Sequence, residues 1–286
     1  MYKFILNLFL FLIIPFFLLG FSFLIESEMN SKRELLIKLL QKENNIIILG
    51  DSRSLVDFDY EILQKKFPKY TISNLSIWAK NPQFCYSVYE DILNKKEITN
   101  SIIIYGITYP HILNRENLNW KGWSLKEKIG GLLNISRYKV IDFNLKHIIT
   151  RNGFLNITEQ DFGNIESGKN WYSSLENKYK PNFRTQIDYI KKFESTFDKK
   201  KGNRFLVCDL PQDTTLQRIC SSSYYYAMYK KQIDNAFQNN HLYLVNIKGL
   251  NQKKFWYNRN HLNNLGAKTF TPIFCDSLKQ RILIKN

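Results

Sequence analysis

The chain has 286 residues, among them 21 Phe and 17 Tyr, and its formal net charge is +16. This length and aromatic content exclude an intrinsically disordered protein and allow one large domain or two small ones. The positive charge fits an anionic partner such as nucleic acid, phospholipid headgroups or an acidic polymer, but the lysines are spread along the chain, which fits an ordinary solvated surface better.

The first predicted element is a long apolar segment at the N-terminus. From Phe4 to Ile25 nearly every residue is apolar, and about 20 such residues cross a bilayer as a helix. The segment exceeds the apolar core of a cleavable signal peptide, and no A-x-A cleavage site follows it. We therefore predict an uncleaved transmembrane signal anchor at residues 1–25, with the main body of the chain exported. Residues 26–43, where leucines form a helical stripe, are predicted to be a juxtamembrane helix or stalk.

The main domain, predicted over residues 44–286, alternates strands and helices. The predicted strands are Ile46–Leu49, Tyr70–Leu75, Ser101–Tyr105, Arg204–Cys208 and Leu242–Ile247. The predicted helices are Tyr60–Phe67, Pro82–Leu93, Tyr224–Phe237 and a final helix that contains Pro272, which either kinks it or delays its start. This alternation is typical of a parallel sheet covered on both faces, so we predict a three-layer α/β/α domain. Residues 109–200 fit the pattern less well and are predicted to be an insertion, either a wall of a cleft or packing decoration.

Candidate catalytic residues lie at the two ends of this domain. In the stretch NNIIILGDSRS, Ser52 follows the first predicted strand, and His261 lies between the last predicted strand and the last helix. A nucleophilic serine needs a base within hydrogen-bond reach, and ligands of parallel sheets bind at the carboxyl ends of the strands. We therefore expect Ser52 and His261 to meet. The alternatives are that Ser52 caps the following helix and that His261 is structural; the other three histidines, His111, His147 and His241, are expected to be incidental.

Two motifs together resemble a known family. GDS after the first strand and the run NRNHLNNLGA at residues 258–267 are similar to the SGNH (GDSL-type) hydrolase superfamily. The closer similarity is to its membrane-anchored bacterial branch, which includes teichoic-acid D-alanine transfer proteins and alginate and peptidoglycan O-acetylation proteins. The similarity covers about residues 44–108 and 204–280, and leaves the middle of the chain unmatched.

The resemblance implies a function and a location. It implies a flavodoxin-like SGNH fold and a serine esterase or O-acyltransferase acting on a cell-envelope glycan, with the glycan or its acyl donor as partner. It also implies a single-pass protein of the bacterial inner membrane with its catalytic domain on the extracytoplasmic side, working beside a membrane-bound O-acyltransferase. No nucleic acid, cofactor or metal is expected; the four cysteines lack C-x-x-C spacing, which disfavours zinc but allows one or two disulfides outside the cytoplasm.

The same resemblance assigns roles to individual residues. Ser52 would attack an ester carbonyl, His261 would take its proton, and the Ser52 backbone N–H would donate to the oxyanion. The glycine expected as a second oxyanion donor aligns with Ala79, and Thr108 is the nearest polar residue to the asparagine expected as the third. The aspartate expected three residues before the histidine is Asn258.

Asn258 is the most serious departure from the family pattern. An amide can orient an imidazole but cannot offset the charge of imidazolium, and in serine proteases the acid-to-amide change costs about 10⁴ in rate, largely through the wrong tautomer. Asp209 or Asp213, after the fourth strand, could replace the acid. Asn258 therefore also favours a catalytically impaired scaffold in envelope polysaccharide assembly. A cytoplasm-facing protein that binds phosphate at the GDS loop is a third hypothesis.

Two neighbours of Ser52 complete the predicted site. Asp51 is expected to bind amide groups of the turn rather than to act as a base. Arg53 is either a surface residue or a clamp for an anionic part of the substrate.

Overall fold

The computed structural model describes residues 40–77, 81–112, 183–197 and 199–283, together with six separate helical positions between Lys3 and Gly20. The strands in these ranges are β1 (Asn45–Leu49), β2 (Thr71–Asn74), β3 (Ile102–Ile107), β4 (Arg204–Asp209) and β5 (His241–Tyr243). They form one sheet in the order β2-β1-β3-β4-β5, and every neighbouring pair is parallel. The chain therefore has an α/β fold with a parallel sheet, as predicted.

Helices cover both faces of this sheet. In the described ranges they are α1 (Ser52–Val56), α2 (Tyr60–Lys66), α3 (Pro82–Lys95), α4 (Tyr109–Ile112), α5 (Phe183–Thr196), α6 (Thr214–Ser221), α7 (Tyr224–Phe237) and α8 (Asn264–Leu283). Side chains of a strand point alternately to the two faces. Ile47 and Leu49 of β1 accordingly join a core with α3, α5 and α7, whereas Ile46 and Ile48 join a second core with α2 and α8. Burial on both faces explains the unbroken apolar run of β1.

The strand order reverses at β1. The chain passes from β1 to β2 on one side and later to β3 on the other side, and in open α/β sheets such a switch point, at the carboxyl ends of the strands, is where ligands bind. α1, which begins at Ser52, follows β1 immediately. The fold thus places Ser52 at the switch point.

Gly50 permits the close approach of α1 to the sheet. Its φ is +139°, a conformation that residues with a side chain rarely adopt. A Cβ at this position would lie 2.4 Å from the Gly106 carbonyl oxygen and 2.9 Å from the Ser54 Cβ. Only glycine therefore allows the turn from β1 into α1 that brings Ser52 to the edge of the sheet.

β5 is shorter than the predicted strand Leu242–Ile247. It begins at His241 and ends at Tyr243, whose partner in β4 is Asp209. β4 itself ends at Asp209, so the residues after Tyr243 have no neighbouring strand to pair with, although their apolar alternation continues. The prediction was wrong for this half of the strand.

Some residues outside the predicted core segments also pack into the domain. Helix α5 lies within the range 109–200, where we predicted an insertion, yet it packs against α3 and contributes Ile190 and Phe193 to the core. Leu40, in the predicted stalk, is 2% exposed in the same core. Pro272 lies inside α8, which begins at Asn264, so the proline does not delay the start of the helix.

Within the described residues no helix combines the length and the apolar character needed to cross a membrane. Of the predicted anchor at residues 1–25, the structure describes only Lys3, Asn7, Phe9, Phe11, Ile13 and Gly20, all in helical conformation. The rest of the anchor and residues 26–39 of the predicted stalk lie outside the described residues, as do Ala79 and residues 113–182.

Candidate active site

Ser52 and His261 meet at the carboxyl edge of the sheet. Ser52 is the first residue of α1, and His261 lies in the loop between a 3₁₀ turn, Lys253–Phe255, and α8. Ser52 Oγ and His261 Nε2 are 2.8 Å apart although 209 positions separate them. The two residues are 8% and 9% exposed, so the contact is largely shielded from water. This is the spacing that a serine nucleophile and its base require.

The loop that carries His261 is closed at its base. Trp256 and Leu262 form an antiparallel bridge, and the Trp256 side chain is fully buried and donates to the Leu250 carbonyl at 2.6 Å. Asn263 accepts from the Gly266 N–H and donates to the Lys254 carbonyl, which ties the loop to the start of α8. The His261 imidazole is therefore carried by a loop whose backbone is fixed by hydrogen bonds at both ends.

Asn258 determines the tautomer of His261. Its Oδ1 accepts hydrogen bonds from the backbone N–H groups of Asn260 at 2.8 Å and of His261 at 2.9 Å, so this atom is the amide oxygen. The same oxygen lies 2.9 Å from His261 Nδ1. Since an amide oxygen only accepts, Nδ1 carries the proton and Nε2 is free to accept from the Ser52 hydroxyl. The tautomer defect that an acid-to-amide change causes in serine proteases is therefore absent here.

The environment of His261 favours the neutral imidazole. Burial lowers its pKa to about 4, the charge of Arg53 lowers it as well, and the charge of Asp51 acts in the opposite direction. At neutral pH the imidazole is thus an unprotonated base. The same environment disfavours the imidazolium that forms when the base takes a proton, and Asn258 supplies no charge to offset it.

If His261 is the catalytic base, its low pKa predicts an activity that tolerates acid. We expect kcat/KM for p-nitrophenyl acetate to stay level from about pH 8 to about pH 5 and to fall by half near pH 4, because the free base is lost only below its pKa of about 4. Between about pH 6.5 and about pH 4, His261 binds a proton in the unfolded chain but not in the folded one. The free energy of unfolding therefore decreases as the pH falls through this window. Circular dichroism at each pH separates unfolding from titration, and an inflection near pH 6.5 in folded protein would contradict the prediction.

The predicted oxyanion donors have different outcomes. Ser52 begins α1, so its backbone N–H has no acceptor within the helix. Thr108 is 1% exposed, and its hydroxyl donates to Asp51 Oδ2 at 3.3 Å. The Thr108 hydroxyl proton is thus used in a bond to Asp51, and the oxyanion role predicted for this side chain stays a prediction. Ala79 lies outside the described residues.

Asp51, rather than Ser52, caps α1. Its Oδ1 accepts from the Arg53 N–H at 3.0 Å, which is the contact with turn amides that we predicted. The alternative in which Ser52 is the N-cap is therefore wrong. The Ser52 hydroxyl contacts His261 instead.

Arg53 is not a surface residue. It is 2% exposed, and its Nη2 donates to Asn260 Oδ1 at 2.7 Å. Its Nη1 is buried and has no hydrogen-bond partner. The guanidinium is thus directed at the loop that carries His261, and the surface alternative is excluded.

Neither predicted substitute acid contacts His261. Asp209 accepts from the Tyr229 hydroxyl and lies 2.9 Å from His241 Nε2. Asp213 caps α6, with its Oδ1 3.9 Å from Arg259 Nη1. Both carboxylates are therefore engaged elsewhere. Neither of them supplies the acid that is missing at position 258.

His241, which we expected to be incidental, is buried and is hydrogen-bonded to a buried and an exposed carboxylate. Its two ring nitrogens each lie 2.9 Å from a carboxylate, of Asp209 and Asp234. Burial alone lowers its pKa, but the hydrogen bonds and charges of the two carboxylates outweigh burial and raise the pKa above its ordinary value. The network joins β4, β5 and α7.

Asp57 and Asn260 contact the site, and the sequence analysis predicted a role for neither of them. Asp57 caps the C-terminal end of α1, is fully buried and accepts from the Leu262 N–H at 3.1 Å. A lone acid in the apolar stretch LVDF was a usable signal. Asn260 gave no signal, because its role depends on where the Arg53 side chain lies.

No family model matches the chain, and no curated protein matches it. Within the described ranges, no group of three or more His, Cys, Asp and Glu side chains is arranged to hold a metal ion. All four cysteines are buried and none is in a disulfide, so the disulfides that the sequence allowed are not formed. Function is therefore inferred from the geometry of Ser52, His261 and Asn258 together with the motifs that contain them.

Proposed function

We propose that the chain is a membrane-anchored SGNH-type acyl-ester hydrolase or O-acyltransferase that acts on a cell-envelope glycan. The hydrogen-bond chain from Ser52 through His261 to Asn258 carries the proposal. It lies at the switch point of a parallel α/β sheet, where ligands of such folds bind. The GDS and NRNHLNNLGA motifs, which resemble SGNH hydrolases, supply its two ends.

The geometry suggests a two-step acyl transfer. Ser52 Oγ attacks the ester carbonyl while its proton passes to His261 Nε2, and the Ser52 backbone N–H donates to the oxyanion that forms. The intermediate collapses as His261 returns the proton to the leaving alcohol, which leaves an acyl group on Ser52. A second hydroxyl then attacks the acyl-enzyme with His261 again as base, and this step restores Ser52. With water the reaction is hydrolysis, and with a glycan hydroxyl it is transfer.

The proposed location rests on the apolar N-terminal segment, and the proposed partner on the resemblance of the two motifs to SGNH hydrolases. The apolar segment at residues 1–25 supports an anchor in the bacterial inner membrane, with the catalytic domain on the extracytoplasmic side. An exported acyltransferase needs an acyl donor that crosses the membrane, which is the task of a membrane-bound O-acyltransferase. The acceptor, in this proposal, is a hydroxyl of an envelope glycan.

A catalytically impaired scaffold is the second candidate function. Asn258 in place of an acid favours it, as does the lowered pKa of His261, because both disfavour imidazolium. The phosphate-binding hypothesis has less support. The carboxylate of Asp51 already accepts the Arg53 N–H at the start of α1, and its negative charge repels a phosphate.

Covalent labelling distinguishes these functions. Full-length protein in detergent micelles is treated with a fluorescent fluorophosphonate, and the adduct is located by peptide mass spectrometry. If the protein is an enzyme, we expect the probe to label Ser52, and we expect this labelling to be lost in His261→Gln because the base activates the hydroxyl. If the protein is a scaffold, we expect no labelling above that of the heat-denatured protein. Competition by p-nitrophenyl acetate and by an O-acetylated glycan oligomer then shows which esters enter the site.

A further inference from the structure

Three consecutive loop residues are each hydrogen-bonded to α1 or to Asp57, the residue that caps its C-terminal end. The central one is His261, whose Nε2 lies 2.8 Å from Ser52 Oγ. On one side, Asn260 Oδ1 accepts from Arg53 Nη2 at 2.7 Å. On the other side, the Leu262 N–H donates to Asp57 Oδ1 at 3.1 Å. The contact between nucleophile and base is therefore flanked by two further links between the same two segments.

Both flanking side chains are shielded from solvent. Arg53 is 2% exposed and Asp57 is 0% exposed. Arg53 lies in α1 and Asp57 directly follows it, with the Asp57 N–H donating to the Arg53 carbonyl at 2.8 Å. Hydrogen bonds in such surroundings are costly to break, because the group left behind cannot turn to water. The links resist displacement of the loop more strongly than surface contacts would.

Asp57 serves this link through its Oδ1, which accepts the hydrogen bond from the Leu262 N–H. Burial raises its pKa well above the ordinary value, and the opposing effects of the Leu262 N–H and of Arg53 do not cancel that rise. A neutral carboxyl still offers a carbonyl-type oxygen to the Leu262 N–H. An amide of the same shape offers the same oxygen, so asparagine is the conservative replacement at this position.

We propose that Arg53 and Asp57 are positioning residues that hold loop residues 260–262 against α1 and thereby keep His261 Nε2 within hydrogen-bond reach of Ser52. Neither residue contacts the reacting atoms in this role. A base displaced by about 1 Å loses up to about 10² in rate, so the links affect kcat rather than substrate binding. The kinetic part rests on the proposed function, whereas the geometry of the imidazole can be measured without it.

The test compares Asp57→Ala with Asp57→Asn in the full-length protein. We expect Asp57→Ala to lower kcat for p-nitrophenyl acetate about 10-fold with KM changed less than about 2-fold, because a displaced base affects the chemical step. Asp57→Asn is expected to recover most of that loss. Asn260→Ala, which removes the other link without emptying a buried site, is expected to lower kcat in the same way.

Asp59→Ala is the matched control. Asp59 lies two residues further along, and its side chain caps α2 by accepting from the Ile62 N–H at 3.0 Å, so its loss weakens a helix end without touching residues 260–262. We expect unchanged kcat in this variant. A fall in kcat equal to that of Asp57→Ala would show that general destabilisation, rather than loop position, is being measured.

Nitrogen NMR of the His261 ring gives a readout that does not depend on activity. In wild-type protein we expect a protonated Nδ1 and an acceptor Nε2, and in Asp57→Ala and Asn260→Ala a mixture of tautomers or a raised pKa as water reaches the ring. Unchanged ring signals and unchanged kcat in both variants would overturn the proposal. Equal losses in Asp57→Asn and Asp57→Ala would also overturn it, because Asp57 would then act through charge. Full activity in Ser52→Ala would refute the proposed function and leave the ring signals to decide the positioning role.

Discussion

Replacing Ser52 by alanine is expected to lower kcat/KM for p-nitrophenyl acetate by at least about 10³-fold. Removal of the nucleophile in a serine triad costs up to about 10⁶, and the amide at position 258 already lowers the starting rate. The loss follows because Ser52 Oγ is the hydroxyl bonded to His261 Nε2, at 2.8 Å. Initial rates of purified full-length protein, corrected for spontaneous hydrolysis, measure it.

Ser54→Ala provides the control for this experiment. Ser54 lies on the same helix, is fully buried, and its hydroxyl has no hydrogen-bond partner. Alanine retains the Cβ that packs against Gly50 and Gly106, so rate and thermal midpoint should both stay near wild type. If Ser52→Ala and the wild type hydrolyse the ester equally, Ser52 is not the nucleophile and the enzyme proposal fails.

Changes at Asn258 have the second largest expected effect, and the sign depends on the replacement. Asn258→Ala removes the oxygen that accepts from three nitrogen groups, of Asn260 and His261. The loop then loses its internal support and the imidazole its preferred tautomer. We expect kcat/KM to fall by about 10² to 10³, in the range that loss of a tautomer-fixing partner or of an oriented base produces.

Asn258→Asp is expected to raise kcat/KM by about 10- to 10²-fold. The carboxylate accepts the same three hydrogen bonds and adds a negative charge beside the ring, which stabilises imidazolium and raises the pKa of His261 from about 4. A gain near 10⁴ is not expected, because the wild-type amide already holds the correct tautomer.

The pH profile of Asn258→Asp provides an independent check. The acid limb should move upward together with the rate, since both depend on the new charge. A shifted acid limb without a faster rate would mean that imidazolium stability does not limit the reaction. An inactive wild type together with an active Asn258→Asp would instead favour the scaffold function.

The alternation of secondary structure could be read from the sequence because it is a local property. Tyr224–Phe237 was predicted with the bounds that the structure has, and β1, β3 and β4 were predicted to within two residues at each end. Apolar runs, turn residues and helical spacing lie within single elements, so no distant contact is needed to recognise them. β5 was overextended because the end of an edge strand depends on the length of its neighbour.

The meeting of Ser52 and His261 could also be anticipated, because parallel strands bring their carboxyl ends to one edge whatever the details of packing. The individual atoms that are in contact at this edge could not be predicted. Which atom of Asn258 faces the ring depends on two backbone N–H groups of a closed loop, and the burial of Arg53 depends on how that loop packs against α1.

The sequence by itself determined the α/β alternation and the two segments that carry Ser52 and His261, because each is encoded by residues close together in the chain. Only the tertiary structure decided that Asn258 presents its oxygen, that Arg53 and Asp57 face the His261 loop, and that Asp209 pairs with His241. Those outcomes arise from hydrogen bonds between segments that are far apart in the chain, whose partners are chosen by packing rather than by local pattern.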